Sequence, residues 1–370
     1  MPIKVAIVGC GEVARRHIYG YQQVEDAQLV AMCDIVPERA QACAAKHGGR
    51  PYCDVVEMLE TEAPDIVDVC TRETDRDVPV IQSVERGFTT LAETPLFAAG
   101  GGLNVRPDDV PVGRRMVEIA DQVGAELFMA FNYRFGESAQ RLKAMIDGGE
   151  LGPLQSVQAW TRLACWPHVI DLLRWLCGDI VGVAAALWGS PEAPTRAGAL
   201  RFAGGAVGTL LGEGVRPAHH DTLRIEWTGS EATAVLRDVA GGLELYPHAP
   251  DRPATIAPAA EDSRGGFMAT FEREIAALCA HVREGVQTAL ATGWDGLRQL
   301  EVDAAYVLSA EAAAWVNPQE QFTGAGAARP ACGKNSLTEE GLKWWGAEGR
   351  QCAANPERGG SADETRLHPH

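Results

Sequence analysis

The sequence predicts an α/β chain in two parts. A parallel sheet with helices on both faces comes first, and an open, largely antiparallel sheet follows it. Three observations carry this reading. From Ile3 to about Phe131, short β-branched runs alternate with helical patterns, as in a doubly wound sheet. From Leu151 the runs are joined by connections rich in Gly, Pro and Asp, as in antiparallel sheets. A chain of 370 residues is long enough for two domains, each with its own core.

The first strand, Lys4 to Val8, runs into Gly9-Cys10-Gly11-Glu12-Val13-Ala14, and a helical pattern follows from Arg15 to about Val24. A Gly-x-Gly-x-x-Ala turn between strand and helix is the opening of a Rossmann dinucleotide-binding unit. Gly9 permits the tight turn, Gly11 lets backbone approach a pyrophosphate, and small Ala14 lets the helix pack on the strand. The helix N-terminus offers free N–H groups and a positive dipole end to the phosphates. A second strand, Gln28 to Cys33, ends in Asp34, 25 residues after Gly9. A carboxylate there accepts ribose hydroxyls and repels a 2′-phosphate, which predicts NAD in preference to NADP. Arg39 is the nearby cation that would soften that preference. The plain alternative is an ordinary βα turn with a solvated aspartate after it.

The remaining elements follow in order. A helix spans Pro37 to His47, opened by Pro and closed by Gly48-Gly49. Pro64 to Thr71 is a buried strand, Val78 to Arg86 a helix ended by Gly87, and Thr89 to Ala92 the next strand. Gly100 to Val112 reads as a loop, Val112 to Gln122 as a helix and Glu126 to Phe131 as a strand, which closes a first domain over residues 1–131. In a second domain, over 132–317, Gln155 to Arg162, Val181 to Leu187, Ala206 to Leu211, Leu223 to Trp227 and Ala232 to Leu236 read as strands. Helices at about Phe267 to Glu284 and Trp294 to Trp315 close it. Residues 318–370 are rich in Gly, Ala, Pro and charge without periodicity, and read as a disordered tail bearing a Leu342-Lys343-Trp344-Trp345 patch.

Composition excludes several functions. The net charge is −17 and no basic cluster is longer than Arg15-Arg16, so no nucleic-acid partner is expected. No apolar run approaches the roughly 20 residues that span a bilayer, so no membrane partner is expected. The chain opens directly on a strand, and its ten cysteines lack Cys-x-x-Cys spacing. Several of them (Cys33, Cys70, Cys177, Cys279) fall inside strands or helices. These features predict a cytoplasmic protein with buried thiols, no signal peptide, no disulfides and no metal.

One helix carries candidate chemistry. In Pro167 to Cys177, Val169, Leu172, Leu173 and Leu176 make a buried stripe, and His168, Asp171 and Trp175 share the neighbouring face. Pro167 suits the first turn and places His168 near the helix start, at a domain crevice. A histidine there can exchange a proton with a substrate hydroxyl, and the positive helix end would lower its pKa. A capping histidine and a solvated aspartate on a structural helix are the alternative.

Four segments resemble the glucose–fructose oxidoreductase / inositol dehydrogenase / rhizopine catabolism family. Glu93-Thr94-Pro95 stands where that family carries Glu-Lys-Pro, and Asn132-Tyr133-Arg134-Phe135 is similar to its Asn-x-Arg-Phe. Gly149-Glu150-Leu151-Gly152 is similar to its Gly-x-Leu-Gly, and His168-Val169-Ile170-Asp171 to its His-x-x-Asp helix. The resemblance runs in order from about Ile3 to Trp315. It implies tightly held NAD(H) or NADP(H), with further cofactor contacts at Glu12, Val13, Thr71, Glu93 and Asn132. It also implies hydride transfer at a hydroxyl carbon of a sugar, cyclitol or related molecule, and a homo-oligomer built through the C-terminal sheet. His168 would be the acid/base, Asp171 would orient substrate, and Thr94 would stand beside the nicotinamide.

The departures bear on catalysis. Thr94 replaces the family's lysine and brings a hydroxyl without charge. Ala164 replaces an aspartate four residues before the histidine, Trp166 a glycine, and Arg76 a histidine after the fourth strand. The Leu163 to Trp166 connection is short where a substrate pocket is normally built. Two other expectations therefore stand beside the oxidoreductase: an NAD-retaining lyase or glycosidase, and a catalytically impaired NAD-binding protein.

Overall fold

The computed structural model of the chain describes residues 2–101, 104–189, 194–214, 221–257, 263–286 and 288–323. By its contacts the chain divides into Met1–Cys332 and Gly333–His370. The second unit, with the Trp344-Trp345 patch, lies outside the described residues.

The first sheet forms as the alternation predicts. Its elements are β1 (Ile3–Val8), α1 (Glu12–Gln22), β2 (Ala27–Cys33), α2 (Pro37–His47), β3 (Arg50–Tyr52), α3 (Val55–Glu62), β4 (Ile66–Val69), α4 (Asp77–Val84), β5 (Thr89–Ala92), α5 (Val110–Val123) and β6 (Leu127–Met129). Strands β1 to β6 are parallel in the order 6-5-4-1-2-3, the doubly wound arrangement in which a dinucleotide lies across the switch point between β1 and β4. Every residue of β4 is buried, as a strand covered on both faces requires.

The second part comprises α6 (Glu137–Asp147), β7 (Leu154–Arg162), α7 (Trp166–Cys177), β8 (Ile180–Trp188), β9 (Thr195–Phe202), β10 (Val207–Glu213), β11 (Leu223–Gly229), β12 (Ala232–Arg237), β13 (Leu243–Pro247), β14 (Thr255–Ala257), α8 (Ser263–Glu284), β15 (Ala291–Thr292), α9 (Gly293–Ala312) and α10 (Pro318–Thr323). Among the described residues its own sheet has eight strands, β7 to β14, in the order 14-13-12-11-7-10-9-8, antiparallel except for the central β7–β10 pair. Helices α7 and α9 cover one face. Trp166 packs where a side chain at Gly212 would stand, and Tyr306 where one at Gly198 would stand. The other face carries Trp188, Ala186, Ala197 and Thr209 with no helix over them among the described residues.

Two features depart from the sequence reading. The closing helices are not confined to the second domain. Ile275 and Leu278 of α8 join the core on one face of the first sheet, and Leu297, Leu300 and Ala304 of α9 join the core on the other. Strand β15 adds to β6 as an antiparallel edge. The approach of α8 to α1 requires glycine at Gly20, where a Cβ would stand 2.9 Å from Ile275. The second departure is at residue 318, the expected start of the tail. Pro318–Thr323 is a helix whose Phe322 packs against both cores, because an apolar side chain there still finds a surface to bury.

Candidate active site

The turn after β1 builds a phosphate cradle. Gly9 adopts φ +91°, and a Cβ there would lie 2.9 Å from the Cys70 carbonyl carbon and the Thr71 nitrogen. Only glycine fits both the angle and the approach. Gly11 is the N-cap of α1 with no side-chain cap, and a Cβ on it would meet nothing within 4 Å. The first N–H groups of an eleven-residue helix therefore open into free space. Ala14 is fully buried in the core under the turn. Val13 is half-buried beside it, and Glu12 is exposed and pairs with Arg15.

Asp34 closes the other side of the cradle. Its Oδ2 accepts from the Cys10 N–H at 2.9 Å and its Oδ1 from the Val36 N–H at 2.9 Å. It thus ties the glycine turn to the end of β2, and each oxygen keeps a second lone pair for a ribose hydroxyl. At the end of β4 the Thr71 Oγ1 is buried without a partner. An open cradle, uncapped helix donors and an orphaned hydroxyl in one crevice fit a dinucleotide.

The end of β5 carries a denser charge network. Glu93 Oε2 accepts from the Thr94 N–H at 2.8 Å. Its Oε1 lies 3.0 Å from Nε2 of His17, a fully buried residue of α1, whose Nδ1 lies 2.8 Å from Asp68 on β4. Burial pulls the His17 imidazole down, but the charge and bond of Asp68 outweigh it and hold the pKa well above the ordinary value. Burial pushes the Glu93 carboxyl up. Its bond to His17 and the charges of His17, Arg76 and His168 reverse this, leaving it at about 2. The buried Arg76 guanidinium donates to the carbonyls of Pro95 and Thr71, the latter at 2.6 Å. Thr94 is nearly buried between these groups.

The facing wall is α7. The connection from β7 is a single 3-10 turn, Leu163–Cys165, as short as the sequence implies. The His168 ring stacks on Tyr133 with centroids 4.2 Å apart and meets the edge of Phe131 at 5.9 Å. Its Nδ1 is buried without a partner, which leaves Nε2 as the nitrogen available to a substrate. The pKa is lowered to about 4, but by desolvation rather than by the helix end, with Glu93 opposing.

Asp171 does not face the crevice as a free carboxylate. It is fully buried, and its two oxygens take Arg134 Nε at 2.7 Å and Nη2 at 2.5 Å. Asn132 is likewise buried and donates to Thr270 on α8 at 2.7 Å. The sequence reading did not single out His17, Asp68 or Arg134 as a charge partner. The available signal was Asp68, a charge inside a buried apolar strand that demands a partner.

Residues 3–131 match the oxidoreductase family's NAD-binding Rossmann fold, and residues 159–317 match its C-terminal alpha/beta domain. The chain belongs to the Gfo/Idh/MocA oxidoreductase family. Inositol 2-dehydrogenase of Burkholderia cenocepacia is 26% identical over 80% of this chain and 90% of its own length. D-apiose dehydrogenase of Paraburkholderia graminis is 24% identical over 50% of this chain, and the match spans 52% of its own length. An oxidoreductase from Agrobacterium radiobacter, solved with NAD+, L-tartaric acid and magnesium, shares the fold. Its TM-score is 0.76 at 18% identity, over 87% of this chain and 100% of that one. Within this Gfo/Idh/MocA chain the nucleotide cradle keeps the features a dinucleotide needs. Of the residues that depart from the family pattern, Arg76 bonds the carbonyls of Thr71 and Pro95, Thr94 follows β5, and Ala164 is exposed in the turn before α7. Among the described residues, no helix is long and apolar enough to cross a membrane.

Proposed function

We propose that this chain is an NAD-dependent dehydrogenase acting on a hydroxyl carbon of a sugar- or cyclitol-like substrate, with His168 as its acid/base. The carrying observation is that α7 packs His168 against Phe131 and Tyr133, just past β6, while Glu93 follows the neighbouring strand β5, so both stand at the carboxyl ends of the strands that carry the phosphate cradle. The relatives' sugar and cyclitol substrates support the substrate class. Bound NAD would accept or give a hydride at the substrate carbon. Gly11, Glu12 and Val13 would meet the pyrophosphate, Asp34 the adenine ribose, and Thr71 Oγ1, Glu93 and Asn132 the nicotinamide half.

His168 is neutral at physiological pH because its pKa is held near 4. It hydrogen-bonds a substrate hydroxyl through Nε2 and takes the proton as hydride leaves; in reverse it returns that proton to the carbonyl oxygen. Thr94 adds a hydrogen bond but no charge. Asp171 acts one step back, by fixing Arg134 and the α7 wall. The uncovered face of the second sheet, with exposed Trp188, suits the homo-oligomer contact. The described cysteines are free thiols, which suits the cytoplasm.

The test is a panel of sugars, cyclitols and their acids, assayed for NADH formation with wild type and His168→Ala. Turnover should fall by about two to four orders of magnitude with cofactor affinity unchanged. Activity that survives the substitution removes His168 from the mechanism. Silence across the panel in the wild type overturns the dehydrogenase reading.

A further inference from the structure

His17 belongs to no part of the cradle or the substrate wall, yet both of its ring nitrogens are held by carboxylates. It sits in the second turn of α1 with no exposed surface. Its Nδ1 lies 2.8 and 3.1 Å from the two oxygens of Asp68, and its Nε2 lies 3.0 Å from Glu93 Oε1. A neutral imidazole has one N–H, so it can donate to only one of two carboxylates and would set a lone pair against the other. The geometry is satisfied when both nitrogens carry protons. Asp68, His17 and Glu93 then form a minus–plus–minus chain with one negative charge in excess.

The groups packed around that chain leave the excess in place. Cys70 donates to Asp68 at 3.3 Å. Tyr21 and Glu274 face it from α1 and α8, and burial raises both well above their ordinary values, which favours their neutral forms. Phe271 closes the remaining side of the ring at 5.5 Å. Arg76 lies near enough to lower the Glu93 pKa, but its hydrogen bonds go to the carbonyls of Pro95 and Thr71. Of the chain's three members only Glu93 has exposed side chain, 14%. It stands at the C-terminal end of β5, and the half-sheet β4–β6 is the half that receives the second mononucleotide of a dinucleotide.

We propose that the buried Asp68–His17–Glu93 chain is a fixed-charge device in which His17 locks Glu93 as an anion beneath the nicotinamide half of the crevice, so that the site holds the oxidised, cationic cofactor in preference to the reduced, neutral one. His17 is a positioning residue in this scheme. It also links the two ends of the nucleotide, since the helix whose N-terminus faces the phosphates carries at its second turn the cation that sets Glu93. The inference rests on the NAD reading above.

The experiment is calorimetric titration of NAD+ and NADH separately, in wild type, Glu93→Gln, His17→Gln and Asp68→Asn, from mildly acidic to mildly alkaline pH. In wild type the ratio of the two dissociation constants should favour NAD+ and stay flat with pH. Glu93→Gln should shift that ratio toward NADH by roughly tenfold at every pH, because it removes the fixed negative charge that favours the cation. His17→Gln should keep the wild-type ratio at alkaline pH and lose it as pH falls, because Glu93 without its cation takes up a proton closer to neutrality. Asp68→Asn tests the same lock from its far side if the other variants do not fold, and should give a weaker version of the His17→Gln profile. A Glu93→Gln protein with an unchanged ratio, or a His17→Gln protein whose ratio stays at the wild-type value at every pH, overturns the proposal. Failure of the wild type to bind either nucleotide would instead defeat the NAD reading itself.

Discussion

Asp171→Asn separates a buried structural pair from a substrate-orienting carboxylate. Asp171 has no exposed surface and holds Arg134 through two hydrogen bonds of 2.7 and 2.5 Å. Arg134 is itself buried, so its guanidinium cannot be rescued by water when the charge opposite it is removed. Breaking one side of a buried pair costs about 3–5 kcal/mol. Two features of this site pull toward the lower end. Asp295 stands 3.4 Å from Nη2, and the Trp175 ring lies 5.8 Å from the guanidinium carbon. The expected loss is therefore about 3 kcal/mol, on the order of 4 °C in melting temperature for a protein of this size. Denaturant unfolding and a thermal scan give the stability, and steady-state kinetics on an active substrate gives the rest. A double variant, Asp171→Asn with Arg134→Met, should recover most of the loss, because replacing both partners removes the uncompensated charge. An Asp171→Asn protein of unchanged stability with a large, isolated rise in KM would refute this reasoning and return Asp171 to the substrate.

Two further outcomes are expected. Asp34→Ser should narrow or reverse the preference for NAD over NADP in direct titration, because it removes the charge that meets a 2′-phosphate; a preference that does not move would place the selectivity elsewhere. Two histidines should contribute to the pH dependence of stability on either side of about pH 6.5, the ordinary histidine value. Below that, unfolded His168 takes a proton that the folded residue refuses until about 4, so the fold loses up to about 3 kcal/mol over that window. Above it, unfolded His17 has shed the proton that the folded residue keeps, so the stability that His17 contributes in acid is lost as pH rises toward its folded pKa. His168→Gln should flatten the acid limb and His17→Gln the alkaline one in urea unfolding; limbs that survive both substitutions would assign the pH dependence to other groups.

Much of the fold was legible because it rests on local rules. The Gly9 to Ala14 turn needs a positive φ and a close approach, both of which glycine announces in sequence. Helix α2 begins and ends at Pro37 and His47, the bounds its proline and glycine signals give. The missed elements had weaker local marks. In α3 the signal was the Asp54 side chain, which accepts from the Glu57 N–H as an N-cap, but the helix has only eight residues. Strand β9, Thr-Arg-Ala-Gly-Ala-Leu-Arg-Phe, reads as a connection because its centre is small residues, of which Gly198 leaves the space that Tyr306 of α9 fills. The candidate site was legible where one segment supplies it and opaque where distant segments meet. Periodicity puts His168 and Asp171 on one helix face, but it cannot see that Arg134, 37 residues away, takes both oxygens of Asp171.

The two walls of the crevice solve one electrostatic problem in different ways, and this bears on the missing lysine. On the β5 wall charge is fixed, with Glu93 ionised by His17 and Arg76 turned to backbone carbonyls. On the α7 wall charge is removed, because His168 stacks on Tyr133 and loses its proton to desolvation, while the Asp171 charge is cancelled by Arg134. Thr94 adds no charge between them. In the proposed reaction, negative charge that develops on a substrate oxygen has no lysine ammonium at position 94 opposite it, and an anion at Glu93 would oppose it. Such charge is tolerated only if it never fully develops, that is, if the proton moves to or from His168 as the hydride moves. A family member with lysine at this position can let a fixed ammonium share that burden. This chain concentrates it on one imidazole, so the penalty for His168→Ala should fall toward the upper end of the range for lost acid–base catalysis, and Thr94→Lys should reduce that penalty rather than simply add to the wild-type rate.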